Sequence, residues 1–434
     1  MKAWRFYGFG DMRLDDIPVP ALRPRHVLAQ ILCVQPSVTE AQLAFGIPTL
    51  AYEKIKRRLE TEAPIQLFGH EYCARVVEVG EGVTRFRPGD RVAARAKLPC
   101  ENCPLCLGGK GHLCRKGPII GFQLPGCFCE YAMLPEIALT HVDDCITDSE
   151  AACLQSLSDS VASVETAELR IGDCVAIFGQ GSMGLECMQV VRASGAGRIV
   201  TVDVRPEACA ISRELGADHV INARDTDPVE AIRELTGGNG ADVVFECAGG
   251  SPKQGLAGAE SLMQAIDAVR SGGKIVGVSW FGAPLQFDID ILRERSLRYL
   301  FPDISTLEHL EHTVRLVASG RVRLKPTITH RLEGIEQVAK AFEITANKGK
   351  HKAINPAQVI APRRHGDVGN DLWSTFNRAQ ESLIRGGVRV VSHNPDTNAR
   401  RRSVAREVGS IDKNVGLNQA LWTLAARMAE LKAA

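Results

Sequence analysis

The feature that most restricts how this chain folds is a series of apolar pieces between residues 174 and 280: CVAIFG, RIVTVD, HVINA, ADVVFECAG and GKIVGVSW. Each has strand length and is apolar almost throughout, so both of its faces must be covered. The intervening segments MGLECMQVVRASG and ACAISRELGA have helical spacing and can supply that cover. The alternation predicts a doubly wound parallel sheet flanked by helices. Residues 1–150 read differently. There VLAQILCV, ARVVEVGEGV and GDRVAARA form short strand patterns between glycine- and proline-rich turns, predicting a β-rich unit. Over 295–360, helical TLEHLEHTVRLVASG mixes with further strand-like pieces.

A chain of 434 residues with 45% hydrophobic and 24% charged residues is expected to be a soluble protein of two domains and an appendage. The net charge of +1 gives no electrostatic reason for nucleic-acid or membrane partners. No apolar run reaches the length of a signal core or a membrane span, so a cytoplasmic location is expected. In that setting the 14 cysteines point to metal ligands and buried thiols rather than disulfides.

FGQGSMG places Gly179, Gly181 and Gly184 in GxGxxG spacing, with Ser182 and Met183 inside the motif. It follows the strand CVAIF and opens a helical pattern, and Asp203 ends the next strand. Such glycines let the backbone approach a pyrophosphate seated on the helix N-terminus. A carboxylate at Asp203 would accept hydrogen bonds from the adenosine ribose hydroxyls and repel a 2′-phosphate, so NAD is the expected cofactor. Arg205 is the nearby residue that argues for NADP. Further upstream, CENCPLCLGGKGHLC spaces Cys100, Cys103, Cys106 and Cys114 as four thiolates around one structural zinc with no open position. His112, within this loop, reads as a surface residue, and Cys127 and Cys129 as packed thiols along a strand.

With GHEYCARVVEVGEGV, RPGDRV, the cysteine lobe, GQGSMG and Asp203 in hand, residues 1–360 resemble the zinc-containing medium-chain dehydrogenase/reductase family, of the alcohol, sorbitol and threonine dehydrogenase type. Ala74 departs mildly, since the family usually has glycine there. The resemblance implies a GroES-like β-rich catalytic domain formed by 1–150, with its zinc lobe at 97–116, and 295–360. It also implies a Rossmann NAD-binding domain at 151–294 and a homodimer or homotetramer.

By the same resemblance a catalytic zinc is held by a cysteine, the histidine of GHE and a third ligand before the Rossmann domain. Here those positions carry Ser37, His70 and Gln155, the last followed by Ser156. The two anionic ligands are thus replaced by neutral oxygens, which bind zinc poorly. A zinc held by His70 with Glu71 or Glu40 supplying charge would be weak. In the alternative, Ser37, Thr39 and His70 hold the substrate without metal, and the joint loss of both charged ligands favours this. Substitution by Cys33 or Cys153 is a third arrangement. Thr39 matches the family's proton-passing hydroxyl, whereas Gln42 replaces a histidine and cannot titrate. His70, with an ordinary pKa near 6.5, is then the expected general base, and Glu40 a route for the proton.

Residues 361–434 lie outside the resemblance. They carry 12 Lys or Arg against 7 Asp or Glu, and Leu417, Leu421, Leu424, Met428 and Leu431 mark a helical stripe, so a largely helical C-terminal appendage is expected. The run Ala399–Arg402 reads as a solvated face. The expected function is NAD-dependent oxidation of a secondary alcohol in a polyol, cyclitol, sugar or amino alcohol. The competing readings are a zinc-independent reductase of an activated carbonyl or double bond, and a non-enzymatic NAD-binding protein.

Overall fold

The computed structural model describes residues 1–250, 258–281 and 284–361. The expected helical appendage, with its leucine stripe and arginine run, lies outside the described residues.

Strand β1 (Lys2–Gly8) pairs antiparallel with β2 (Asp11–Asp16). Five strands of a seven-stranded sheet follow: β3 (His26–Gln35), β4 (Glu71–Val79), β5 (Arg91–Ala94), β6 (Tyr131–Pro135) and β7 (Leu139–His141). The long β3 is buried along nearly its whole length because it pairs with β4 and β6 and carries the core residues Val27, Ala29, Ile31 and Val34. This is the GroES-like unit.

The parallel sheet comprises β8 (Cys174–Phe178), β9 (Arg198–Asp203), β10 (His219–Asn222), β11 (Ala241–Glu246), β12 (Val269–Gly277) and β13 (Arg298–Leu300). Its order is β10-β9-β8-β11-β12-β13, so the direction of winding reverses between β8 and β11. This is the Rossmann-type unit predicted from the continuously apolar strands. Val175, Ile177, Val243 and Phe245 face one core, and Ala176, Phe178, Val244 and Ile275 the other.

The sheet runs past residue 294, where sequence reading ended the domain. β13 pairs in parallel with β12, and the helix Leu307–Ala318 packs on the helix Leu154–Ala167 through Leu310, Val161 and Val164. β13 is only three residues long and flanked by charge, so its own pattern does not announce it. The chain then returns to the first unit. β14 (Arg331–Glu333) and β15 (Gln358–Ile360) join the seven-stranded sheet, β15 antiparallel to β3.

Phe342, on the helix Val338–Ala346, fixes this return. It is fully buried, with ring centroids 4.9 Å from Phe128 and 5.8 Å from Phe6. Replacing it by alanine removes a large side chain from a site walled by other rings. Phe342→Ala is expected to cost about 3–5 kcal/mol of stability, measured by urea unfolding.

Candidate active site

The glycine turn after β8 is shaped for a phosphate. Gly179 has φ +86°, and an added Cβ would lie 2.7 Å from Ala248 Cα, so the turn is pressed onto the loop after β11. A Cβ on Gly184 would overlap the Gly179 carbonyl, which lets the helix Ser182–Ala193 start tight against the strand. Gly181 differs. It is the N-cap of that helix, and a Cβ there would meet nothing within 4 Å. This is the open cradle that a pyrophosphate needs, in front of free helix N–H groups. Ser182 is the first residue of the helix, and Met183 Sδ accepts from Ser160 Oγ at 3.7 Å.

Asp203 closes β9 with its carboxylate aimed at this turn. Oδ2 accepts from the Gln180 N–H at 2.6 Å and Oδ1 from the Arg205 N–H at 2.8 Å. Arg205 does not reach outward. Its Nε lies 3.4 Å from Asp203 Oδ1, and its other nitrogens donate to the carbonyls of Ala353 and Gln180. The residues present therefore fit a dinucleotide.

The cysteine lobe also fits its expected ion. Among the described residues, Cys100, Cys103, Cys106 and Cys114 form the one group of three or more possible ligands, with all four sulfurs within 4.8 Å of one another. Cys103 Sγ lies 3.5 Å from Cys106 Sγ and 3.8 Å from Cys114 Sγ. A tetrahedron of sulfurs at about 2.3 Å from a central zinc has edges of about 3.8 Å. His112 sits outside the quartet on a short turn. Cys127 and Cys129 are buried thiols as expected, though only Cys129 makes a strand bridge, to Ala3.

At the expected catalytic centre several roles change. Ser37 is the N-cap of the helix Val38–Ala44. Its Oγ accepts from the Glu40 N–H at 3.2 Å while Glu40 Oε2 accepts from the Ser37 N–H at 3.0 Å. Ser37 is thus held by a capping box. The pattern Ser-x-x-Glu was present in the sequence and is the signal that reveals it. Thr39 is half-buried on the first turn of the same helix. Gln155 is buried, and its Nε2 donates to Asp159 Oδ2 at 3.1 Å. Its amide group is therefore turned toward a carboxylate that sequence reading passed over. Cys33 is buried in β3 opposite Cys73, and Cys153 Sγ accepts from the amides of Asn355 and Gln358 at 3.3 and 3.4 Å.

His70 is 13% exposed and sits among carboxylates. Its Nδ1 is 2.6 Å from Glu40 Oε1, an ion pair by distance without the alignment of a good hydrogen bond. Its Nε2 is 3.9 Å from Glu71 Oε1. Glu40, wholly buried, is further fixed by the Gly69 N–H at 2.8 Å. Burial works against the imidazolium, but the combined charges of Glu40, Glu71 and Asp159 overcome it and raise the His70 pKa to about 9. The histidine is therefore protonated at neutral pH. This corrects the expectation of a general base with an ordinary pKa. Burial raises the Glu71 carboxyl to about 7, against the opposing pull of His70 and of Gln35, whose Nε2 donates to Glu71 Oε2 at 2.5 Å. Burial also raises Asp159.

Two more ionisable groups connect this cluster to the glycine turn. Glu186, on the helix that the turn opens, is buried and accepts from Ser156 Oγ and Ser160 Oγ, each at 2.9 Å. Lys348 is held down to about 7 by burial and by Arg205, against attraction from Glu71, Glu186 and Asp203.

The chain is similar to known proteins. Residues 44–144 match the alcohol dehydrogenase GroES-like domain, and residues 182–301 match the zinc-binding dehydrogenase model. The chain is 28% identical over 343 residues to an L-threonine 3-dehydrogenase of Rhizobium rhizogenes, covering 78% of this chain and 93% of that protein. An alcohol dehydrogenase from Thermus sp. ATN1 superposes with a TM-score of 0.71 at 25% identity, covering 83% of this chain and 100% of the other. A protein described as a zinc-binding dehydrogenase from Sinorhizobium meliloti 1021, bound to NADP, gives the same TM-score of 0.71 at 25% identity, covering 83% and 99%.

The quartet's geometry makes a direct prediction. Cys103→Ser should lower the metal content of purified protein by about one zinc per chain and lower its melting temperature. Elemental analysis with a thermal scan checks both.

Proposed function

This chain belongs to the zinc-containing medium-chain dehydrogenase/reductase family of oxidoreductases acting on CH–OH groups, and on that premise we propose that it oxidises a secondary alcohol bearing a neighbouring ammonium or hydroxyl group, with NAD as acceptor. The observation that carries this reading is a dinucleotide cradle at Gly181 and Asp203 together with a buried His70 faced by Glu40 and Glu71. The carboxylates Glu40, Glu71 and Asp159 outnumber the single imidazolium they surround. Such a pocket suits a substrate that brings positive charge or several donors, and an amino alcohol meets that description best. The likeness to threonine dehydrogenases supports the same choice.

Bound NAD would accept the hydride leaving the carbinol carbon. The chain's own residues handle the oxygen and its proton. His70 Nε2–H donates to the carbinol oxygen and stabilises negative charge as the O–H proton departs. Glu71, 3.9 Å from that nitrogen and with a carboxyl poised near neutrality, takes the proton. The Thr39 hydroxyl orients the substrate. NAD is favoured over NADP because Asp203 presents a carboxylate at the ribose end and Arg205 is folded back onto it. Cys100, Cys103, Cys106 and Cys114 would hold a zinc that folds their lobe and takes no part in the reaction.

A second copy of the chain is the expected partner. Among the described residues β13 is the edge of its sheet, followed by Phe301, which is 73% exposed.

A panel of amino alcohols, polyols and cyclitols with NAD should yield reduced nicotinamide, amino alcohols fastest, with NAD preferred over NADP by about tenfold or more in kcat/KM. Absence of turnover across the panel, with and without added zinc, would count against the reading. His70→Ala should lower kcat by about 100-fold or more, which steady-state rates on the best substrate would check.

A further inference from the structure

Glu246, the last residue of β11, is a fully buried carboxylate that the reaction just described does not use. Its Oε1 accepts from the N–H groups of Ala248 and Gly249 at 3.0 and 2.8 Å and from Ser261 Oγ at 2.7 Å. Its Oε2 accepts from Ser279 Oγ, and its backbone carbonyl accepts from the N–H groups of Val278 and Ser279 at 2.9 and 3.1 Å. One residue therefore ties together the loop after β11, the loop after β12 and the helix Ala259–Ala268.

The loops meet closely. Gly250 N–H donates to the Trp280 carbonyl at 2.6 Å, and a Cβ on Gly249 would overlap the Ser279 hydroxyl. Ala248 in turn backs the Gly179 turn.

The position matters because of the strand order. In a doubly wound sheet the ligand lies across the carboxyl ends of the strands at the point where winding reverses, here between β8 and β11. The glycine turn after β8 and Asp203 after β9 take the adenosine and pyrophosphate half. The loops after β11 and β12 are left for the nicotinamide half.

We propose that Glu246 is the positioning residue for the nicotinamide half of the cofactor, holding residues 247–250 and 278–281, on which that half rests, in one fixed arrangement. The proposal rests on the dinucleotide reading above and goes beyond it by assigning a separate device to each half of the ligand. Asp203 organises the adenosine side, and Glu246 the nicotinamide side.

The experiment compares binding of NADH with binding of ADP-ribose, which lacks the nicotinamide, to the full-length protein by calorimetry. Glu246→Ala leaves the Ala248 and Gly249 N–H groups without their acceptor. It is expected to raise the Kd for NADH by about tenfold or more while leaving that for ADP-ribose within about twofold. Glu246→Gln should restore much of the NADH affinity, because its carbonyl still accepts from both amides and the Ser279 hydroxyl can turn to accept from its NH2 group. Should Glu246→Ala fail to fold, Ser279→Ala serves instead. It removes only the side-chain tie to the second loop, leaving the backbone ones, and should give the same selective loss at roughly threefold. Equal weakening of both ligands, or no change in either, would overturn the proposal. A wild-type protein that binds neither ligand would instead overturn the dinucleotide reading, and this assignment with it.

Discussion

A carboxylate withdrawn from water must be met by donors or by opposite charge, because leaving it bare costs several kcal/mol. Several buried acids among the described residues impose that requirement, and four of them each organise a different part of the molecule. Asp203 gathers the N–H groups of Gln180 and Arg205, which fixes the turn after β8. Glu246 gathers the loops after β11 and β12. Glu40 caps its own helix, accepts the Gly69 N–H and faces His70. Glu186 is met by two serine hydroxyls from the helix Leu154–Ala167. The backbone segments around the cleft are arranged as the donor shells of these groups.

The same constraint sets the character of the reactive pocket. An imidazole buried beside Glu40 and Glu71 becomes a cation, because the neighbouring negative charges outweigh the cost of burying its own. The cation in turn allows the carboxylates to stay buried. His70 is therefore suited to donating to an oxygen, and the capacity to accept a proton passes to Glu71, whose burial has raised it into the neutral range. The division of labour between acid and base arises from desolvation on one side and ion pairing on the other. The residues holding Glu71 are themselves buried amides. Gln35 donates to it and accepts from Asn355 and Gln358 at 2.9 Å each, so the returning segment beside β15 helps support the pocket.

Much of this was legible beforehand, for reasons that can be named. The parallel sheet was visible because continuously apolar strands require cover on both faces. The zinc lobe was visible because four thiols at this short spacing match a tetrahedral ligand set. The glycine turn was visible because strand, glycines and the acid ending the next strand occur in a fixed order. β13 and the domain's true extent were hidden, since a three-residue edge strand has no period to detect. Asp159 and Glu186 were hidden as well, because an acid inside a helix pattern looks the same whether it faces solvent or a cleft. The capping role of Ser37 is spelled out by its Ser-x-x-Glu pattern with Glu40.

The amino-acid sequence by itself determined which elements form and where phosphate and zinc can be held, since these follow from local period, spacing and side-chain type. Only the tertiary structure decided the protonation of His70, the occupation of Ser37 and Gln155, and the joining of two loops through Glu246. Those properties depend on distances between groups far apart in the chain and on their removal from water, and neither quantity exists until the chain has folded.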